Sequence, residues 1–460
     1  MSTTLETASP TAVRTGSPSA RVLIPALFGS FVIVLDASAV NVAVPVLGRE
    51  LGASVSGLQW VLDGYTLMFA ALMLSAGALA DRIGAARAFS IGLAGFTLAS
   101  VACGAAPNLG TLIGARFVQG IAAALVLPSS LSMVRQGFAD PARRAWALSM
   151  WAVAGSVAIA GGPVAGGVLT GMVSWRAIFL INVPFGIAAL VFVARMAPSP
   201  RRAAPLDLLG QATAVLASAA LTFALIEGGQ AGFGSAPVLA ALVLTVLSGA
   251  AFFLVESRVE QPMVPLGMFR ARGVSITMAV GFAFNAAFYG IVFLLSLYLQ
   301  QVRGLSAPAT GAAFVPMMAI IGLANVASPR VAARFGPRVP IVGGLLLVVI
   351  GSILLLAVHD STPAPLLAVL AVPIGAGGGL LVPTVMSVLL DAVPADRSGM
   401  ASGVFNAVRQ MGAAMAVAVY GSLVAGGAGF HHGMTIDLLI GAAMVLTSAV
   451  AALALRTADR

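Results

Sequence analysis

Four charged residues interrupt long apolar stretches of the sequence and are its first candidates for chemistry: Asp36, Asp63, Arg116 and Arg409. An ionisable side chain within a membrane helix is costly and usually marks the path of an ion or a substrate. Burial disfavours the charged form of a carboxyl group, whereas a neighbouring guanidinium favours it. An aspartate held between these two influences, as we expect for Asp36 beside Arg116, would exchange a proton when its surroundings changed.

Other residue types exclude several chemistries. All 24 basic residues are arginines, so the chain has no lysine for a Walker A phosphate loop or a Schiff base. Cys103 is the only cysteine, which excludes an internal disulfide and a thiolate metal site. The net charge of +9 comes from arginines scattered between apolar runs, not from a basic patch of the kind that binds nucleic acid. We therefore expect no metal, no cofactor, no enzymatic activity and no nucleic-acid partner.

The composition predicts that membrane helices position these residues. Hydrophobic residues make up 60% of the 460 and charged residues only 8%, whereas a soluble domain carries about 25% charged residues. So few charges cannot cover a water-facing surface, which excludes a soluble globular protein. Fourteen apolar runs are long enough to span a membrane, at about 20 residues for each span. The predicted fold class is all-α integral membrane, with 14 transmembrane helices.

Arginine positions predict the orientation of these spans. With the N-terminus inside, 19 arginines lie on the inner side and only three, Arg49, Arg176 and Arg303, on the outer side. This asymmetry follows the positive-inside rule, and fourteen spans then place both termini in the cytoplasm. At a rise of about 1.5 Å per residue, Asp36, Asp63 and Arg116 lie at similar depths in the outer half of the membrane.

The two ends of the chain repeat each other. Residues 120–134 align with 375–389 at an offset of 255, and the loop at 81–84 aligns with 333–336 at an offset of 252. A nearly constant offset predicts two parallel six-helix halves related by an axis along the membrane normal. The predicted organisation is a disordered cytoplasmic tail (1–21), an N-terminal six-helix bundle (22–196), a linker with two inserted transmembrane helices (197–272) and a C-terminal six-helix bundle (273–460).

Five short motifs, in the correct order, resemble signatures of the major facilitator superfamily. Residues 35–45 (LDASAVNVAVP) and 175–186 (WRAIFLINVPFG) resemble those of its 14-helix drug:proton antiporter family. Residues 77–87 (GALADRIGAAR) are similar to the loop signature between helices two and three. Residues 112–120 (LIGARFVQG) resemble the fourth-helix motif, and residues 161–167 (GGPVAGG) resemble the antiporter motif of helix five.

Two further stretches narrow the resemblance. Residues 223–228 (FALIEG) and 281–290 (GFAFNAAFYG) resemble actinobacterial antibiotic-resistance exporters, the methylenomycin-resistance type in particular. The resemblance implies proton-driven efflux of amphipathic small molecules such as antibiotics across a bacterial plasma membrane. Two six-helix bundles, joined by a two-helix insert, would alternate access to a midplane cavity. The implied partners are a small-molecule substrate, protons and the lipid bilayer, with a monomer as the expected oligomeric state and the proton gradient as the energy source.

The motifs and the helical spacing assign residues to three roles. Proton coupling is expected of Asp36, Asp63 and Arg116. The substrate cavity is expected to include Gln119, Phe282, Asn285, Tyr289, Phe293, Asn406 and Arg409. Gating is expected of Gly77, Asp81, Arg82, Gly84, Arg87, Gly162, Pro163, Gly166 and Gly167. The resemblance implies that Asp81 latches the two halves at the start of the helix at 400–425.

Each of these patterns also fits a simpler interpretation. The buried charges fit a structural ion pair, residues 77–87 an ordinary charged loop, the glycines of 161–167 close helix packing, and the aromatic stripe of 282–293 a packed core. Two other functions fit the same sequence: a proton-linked transporter of an endogenous metabolite without a resistance role, and a non-transporting membrane sensor or scaffold.

Overall fold

The computed structural model describes residues 20–455, except 139, 197–198, 202–206, 260–261, 263, 360, 394–397 and 426–428. Residues 1–19 of the predicted tail thus lie outside the described residues. The helices are α1 Ala20–Leu51, α2 Val55–Ile83, α3 Ala85–Gly104, α4 Leu109–Gly137, α5 Pro141–Met172, α6 Arg176–Leu180, α7 Asn182–Val193, α8 Leu208–Ala231, α9 Ala236–Arg258, α10 Arg272–Leu297, α11 Ala307–Phe335, α12 Arg338–Leu356, α13 Ala364–Leu370, α14 Val372–Asp391, α15 Ser398–Ala425 and α16 Phe430–Ala452. A 3₁₀ turn at Leu266–Arg270 precedes α10, and a π-helical turn at Tyr298–Val302 follows it.

The helices are long and apolar enough to cross a membrane many times. Twelve continuous spans meet this test, with α6 and α7 forming one span and α13 and α14 another. The count reaches fourteen when α2 and α5, each bent by more than 40°, are taken as one span apiece. The predicted all-α membrane fold is confirmed.

The two halves repeat the same packing. In the first half, α1 packs against α5, and α4 packs against α2 and α3. In the second half, α10 packs against α15, and α14 packs against α11 and α12. The repeated loop uses the same backbone device, because Gly84 (φ +95°) joins α2 to α3 and Gly336 (φ +82°) joins α11 to α12. A positive φ is readily adopted only by glycine, so these two positions fix the turns.

Helices α8 and α9, between the halves in sequence, pack against each other, and α8 also contacts α2 and α15. Near its start, the Gln211 side chain donates to the Ala71 carbonyl oxygen at 2.6 Å and accepts from the Ser75 hydroxyl. Near its end, Glu227 accepts from the Trp60 indole at 3.4 Å. Helix α8 therefore lies along α2 and reaches the contact between the halves.

The halves meet tightly at the end of the molecule where α1 finishes and α2 begins. The Gln59 amide donates to the carbonyl oxygens of Val417 and Ala418 at 3.0 and 2.7 Å, and joins α2 to α15. The Gln300 amide donates to the Val42 carbonyl oxygen at 2.7 Å, and joins the end of α10 to α1. Buried side-chain amides that bridge two halves at backbone carbonyls hold that end closed.

Candidate functional site

An ion pair lies at the centre of the first half. Arg116 Nη1 on α4 donates to Asp36 Oδ2 on α1 at 2.5 Å, and the two side chains are 1% and 0% exposed. The other carboxylate oxygen of Asp36 accepts from the amides of Gln119 and Asn182 at 3.0 and 2.8 Å. The Asp36 carboxylate therefore has three donors from α4 and α7, an arrangement that stabilises its charged form.

Arg116 is held from several sides. Its Nε donates to the Val61 carbonyl oxygen at 2.9 Å, and its Nη1 also donates to Gln119 Oε1 at 2.7 Å. Its guanidinium carbon lies 4.2 Å from the centre of the Tyr65 ring, a stacked cation–π geometry. The planar guanidinium group of Arg116 thus fits a site built from α1, α2 and α4. The compact ammonium group of a lysine would not fill this site.

A second layer of polar groups supports this pair. The Ser100 hydroxyl on α3 accepts from the amides of Gln119 and Asn182 at 2.8 and 3.2 Å. The Cys103 thiol lies 3.6 Å from Gln119 Oε1. The sequence pattern assigns no role to Asn182 or Ser100, although Asn182 lies within the motif at 175–186. The only feature of the sequence that points to Asn182 is an amide side chain within an apolar run.

A small cavity lies between the halves beside the ion pair. Its volume is about 20 Å³, enough for one water molecule. Its lining comes from α1, α2 and α4 of one half and from α10 and α15 of the other: Ala37, Asn41, Leu62, Thr66, Arg116, Tyr289, Gln410, Ala413 and Val417. Arg116 therefore contacts Asp36 on one side and forms the wall of this cavity on the other.

Asp63 on α2 is an acid of a different kind. It is 0% exposed, and neither of its carboxylate oxygens has a hydrogen-bond partner among the described residues. It lies one turn after Gln59, on the face of α2 that contacts α15. Over the part of the chain that the structure describes, no three or more His, Cys, Asp or Glu side chains come together as metal ligands.

The polar residues predicted for a cavity in the second half form their own cluster. Asn285 on α10 donates to the Arg409 carbonyl oxygen at 3.1 Å and accepts from Arg409 Nε at 3.2 Å. Arg409 Nη1 also lies 3.4 Å from Asn406 Oδ1. These three residues are thus brought together on α10 and α15, whereas Gln119 belongs to the ion-pair network of the first half.

The predicted aromatic stripe of α10 divides among three environments. Tyr289 lines the cavity between the halves. Phe282 lines a separate apolar groove of about 550 Å³ between α10, α15 and α16, and Phe293 is fully buried in the packed core. The stripe does not line one cavity, because α10 is surrounded by other helices on nearly every side and most of its residues are buried.

The predicted gating loop is held by the segment before α8. A side chain at Gly84 would bring its Cβ to 3.0 Å from the Ser199 carbonyl oxygen, and the Ala86 amide donates to the Ser199 hydroxyl at 3.1 Å. Asp81, Arg82 and Arg87 are exposed, and Asp81 forms no ion pair with any residue that the structure describes. Gly77 lies nearby on α2, where an added Cβ would be 3.9 Å from the Pro128 side chain. The latch between Asp81 and the start of α15 stays a prediction.

The glycine motif of α5 joins the two halves. Gly162 and Gly166 lie on one face, where an added Cβ would collide with Ser38 and Ala39 of α1. Pro163 and Gly167 lie on the face toward α11 of the other half. There an added Cβ at Gly167 would come within 2.5 Å of the Ala307 carbonyl oxygen. Small residues with this spacing let helix backbones approach closely, so α5 contacts both halves through one motif.

Comparison with known proteins agrees with this architecture. Residues 26–417 match the Major Facilitator Superfamily. The chain is 36% identical to the methylenomycin A resistance protein of Streptomyces coelicolor, over 92% of this chain and 90% of that protein. It is 34% identical to the puromycin resistance protein of Streptomyces alboniger, over 94% and 90% of the two chains.

Solved structures share the fold at much lower identity. A peptide transporter in complex with sulfate superposes with a TM-score of 0.71 at 16% identity and covers 94% of both chains. A bacterial homologue of the human lysosomal transporter Spinster, in an inward-facing and unoccupied conformation, superposes with a TM-score of 0.66 at 17% identity over 95% of this chain and 98% of that one. Together with the repeated six-helix halves, these matches confirm the predicted family: the chain belongs to the major facilitator superfamily and is a multi-pass membrane transporter of small molecules.

Proposed function

We propose that this protein is a proton-coupled antiporter that exports amphipathic small molecules, antibiotics among them, across the plasma membrane of an actinobacterium. The observation that carries the proposal is the double role of Arg116. It pairs with the buried carboxylate of Asp36 inside one half, and it forms part of the wall of the cavity between the halves. A water molecule in that cavity, or a substrate once the halves move apart and enlarge it, changes the surroundings of Arg116, and through Arg116 it changes the charge balance at Asp36.

The two acids of this half differ in their surroundings, which supports a division of labour. Asp36 has three donors, one of them a guanidinium, so in this conformation it is a carboxylate. Asp63 is buried without a partner among the described residues, and burying an unpaired carboxylate is very unfavourable, so Asp63 is the acid that holds a proton. In the transport cycle Asp36 takes a proton from outside as the substrate leaves, and it releases that proton to the inside when the next substrate binds and Arg116 pairs with it again.

The closed end supports alternating access by rocking. With both termini in the cytoplasm, the contacts of Gln59 and Gln300 lie at the outer end, so this conformation is closed toward the outside. The close contact of Gly167 with Ala307, the first residue of α11, brings α5 and α11 together at this end without side chains between them. In the opposite conformation the bonds of Gln59 to α15 break, and the loop at 77–87 contributes to closure at the inner end. The protein acts as a monomer in this scheme, because each chain holds both halves.

The names of the relatives suggest the first compounds to test. We expect expression in a host that lacks its own pumps to raise resistance to at least one compound in a panel of methylenomycin A, puromycin and tetracenomycin C, the compounds named for similar proteins. An uncoupler should abolish the resistance, and so should Asp36→Asn. Asp391→Asn is the matched control, because Asp391 is an exposed carboxylate at the end of α14. Resistance that survives the uncoupler, or no resistance to any compound at normal expression, contradicts the proposal.

A further inference from the structure

The second half contains a buried acid that the scheme above does not use. Asp437 on α16 is 0% exposed, and neither of its carboxylate oxygens has a hydrogen-bond partner in the described part of the chain. It lies seven residues after Phe430, the first residue of α16, which corresponds to a depth of about 10 Å at 1.5 Å per residue. A carboxyl group in such a place is costly to keep and calls for a functional reason.

The internal repeat relates this acid to the ion-pair network of the first half. At the offset of 255 that aligns residues 120–134 with 375–389, Asp437 corresponds to Asn182. Asn182 is the residue whose amide donates to Asp36 at 2.8 Å. At the same offset Arg116 corresponds to Ala371. On this sequence alignment the second half has an acid in place of Asn182 and an alanine in place of Arg116.

One hydroxyl group faces Asp437. A side chain added at Gly441, one turn after Asp437 on the same face of α16, would meet the Tyr420 hydroxyl oxygen of α15. That hydroxyl is itself buried, at 2% exposure for the residue, and it has no hydrogen-bond partner among the described residues. Two unsatisfied polar groups thus face the same small space. A phenol can donate to a carboxylate and can also accept from a protonated carboxyl group, so it suits both states of the acid.

No described cation pairs with this acid. Helix α16 packs against α10, α12 and α15. The titratable and charged side chains on these helices and on α16 itself are Arg272, Tyr289, Arg338, Arg409, Tyr420, His431 and His432. Arg338 donates to the Leu455 carbonyl oxygen, Arg409 contacts Asn285 and Asn406, and the His431 ring packs against Tyr298. The Tyr420 hydroxyl is thus a polar group beside this face of α16 that has no other partner among the described residues.

We propose that Asp437 is a second proton-binding site that binds and releases one proton in each transport cycle. The Tyr420 hydroxyl, which makes no hydrogen bond to any described residue in this conformation, becomes the hydrogen-bond partner of Asp437 when α15 moves. Tyr420 lies two residues after Ala418, whose carbonyl oxygen accepts from Gln59 across the closed end. Opening that end moves this part of α15, changes the space around Asp437 and admits water from outside. The binding of the proton stands on this geometry alone, whereas its coupling to transport rests on the proposed function.

Difference infrared spectroscopy tests the binding directly. The full-length protein in liposomes, without any substrate, should show the C=O stretching band of protonated carboxyl groups at low pH, and this band should decrease as the pH rises. Asp437→Asn should remove one component of the band, and Asp63→Asn a different one, whereas the exposed control Asp391→Asn should change neither. Tyr420→Phe keeps the carboxyl group and should shift the frequency and the pH midpoint of the Asp437 component, which provides a test if Asp437→Asn fails to fold. A band unchanged by Asp437→Asn, or an Asp437 component that does not respond to pH, overturns the proposal.

A transport measurement tests the coupling. Under a pH gradient of one unit, each coupled proton multiplies the limiting substrate gradient by about ten. Asp437→Asn should therefore lower the limiting gradient about tenfold and still pump, whereas Asp36→Asn should not pump. An Asp437→Asn variant that reaches the wild-type gradient overturns the coupling. Failure of the wild-type protein to pump would contradict the proposed function instead, and the infrared result would remain a separate test of the site.

Discussion

Replacement of Asp36 by Asn should destabilise the protein by leaving the charge of Arg116 without its counter-ion. Arg116 is 1% exposed, and it would keep only neutral partners, the Val61 carbonyl oxygen and the Gln119 side chain. Removal of one partner of a buried ion pair costs about 3–5 kcal/mol. We expect the lower end of that range, about 3 kcal/mol, because the new amide oxygen still accepts from neighbouring amides.

A double variant separates the charge from the change of shape. Asp36→Asn combined with Arg116→Gln removes both charges, so no uncompensated charge stays buried. This double variant should be less destabilised than the sum of its two single variants by about 0.5–3 kcal/mol, the range measured for groups in direct contact.

The free energy of unfolding can be followed by equilibrium denaturation in mixed detergent micelles, with the exposed Asp391→Asn as the control for loss of a carboxylate. The reasoning is refuted if Asp36→Asn unfolds within about 0.5 kcal/mol of that control, the range of ordinary surface substitutions. It is also refuted if the two charge-removing substitutions are additive, since the pair would then contribute nothing as a pair.

Four further changes to the chain test the ion pair, the contacts between the halves and the orientation in the membrane. Arg116→Lys should abolish efflux in vesicles, because a lysine cannot donate to both Val61 and Asp36 with one planar fork; wild-type efflux would contradict this. Gly167→Leu should prevent closure against α11 and raise the labelling of an introduced cavity cysteine from the outer side. Unchanged labelling would mean that Gly167 has only a packing role. Gln59→Leu should favour the outward-open state by the loss of two bonds to α15, visible as a longer distance between spin labels on α2 and α15; an unchanged distance would contradict it. Reporters fused at residue 200 should stay cytoplasmic and those near residue 360 should be exported, and the reverse pattern would overturn the orientation.

Much of the fold was predictable from the sequence because its signals are local. Apolar runs of sufficient length set the spans, and the constant offset between residues 120–134 and 375–389 set the two halves. The alignment of the loop at 81–84 with 333–336 pairs Gly84 with Gly336 at the same offset, and both glycines have positive φ. Asp36 and Arg116 were singled out as charges in apolar surroundings, and the structure brings them together at 2.5 Å.

The remaining site residues depend on how helices pack, which no local pattern encodes. Asn182 and Ser100 join the network only because α7 and α3 place them beside Gln119. Phe282 and Phe293 share the spacing of Tyr289, but α10 is enclosed by neighbours, so equal spacing does not lead to one cavity. Asp437 was not singled out because one acid near the end of an apolar run resembles a loop residue until its burial is known.

The central claim is that substrate and proton move in opposite directions through one site that contains Asp36. The direct measurement is the internal pH of proteoliposomes that contain the purified protein and an exported compound at high internal concentration, without an imposed pH gradient. Outward flow of the compound should acidify the interior of wild-type proteoliposomes in either orientation of the protein, and it should leave the pH of Asp36→Asn and protein-free liposomes unchanged. An interior that stays at constant pH, or becomes alkaline as in co-transport, would contradict the account.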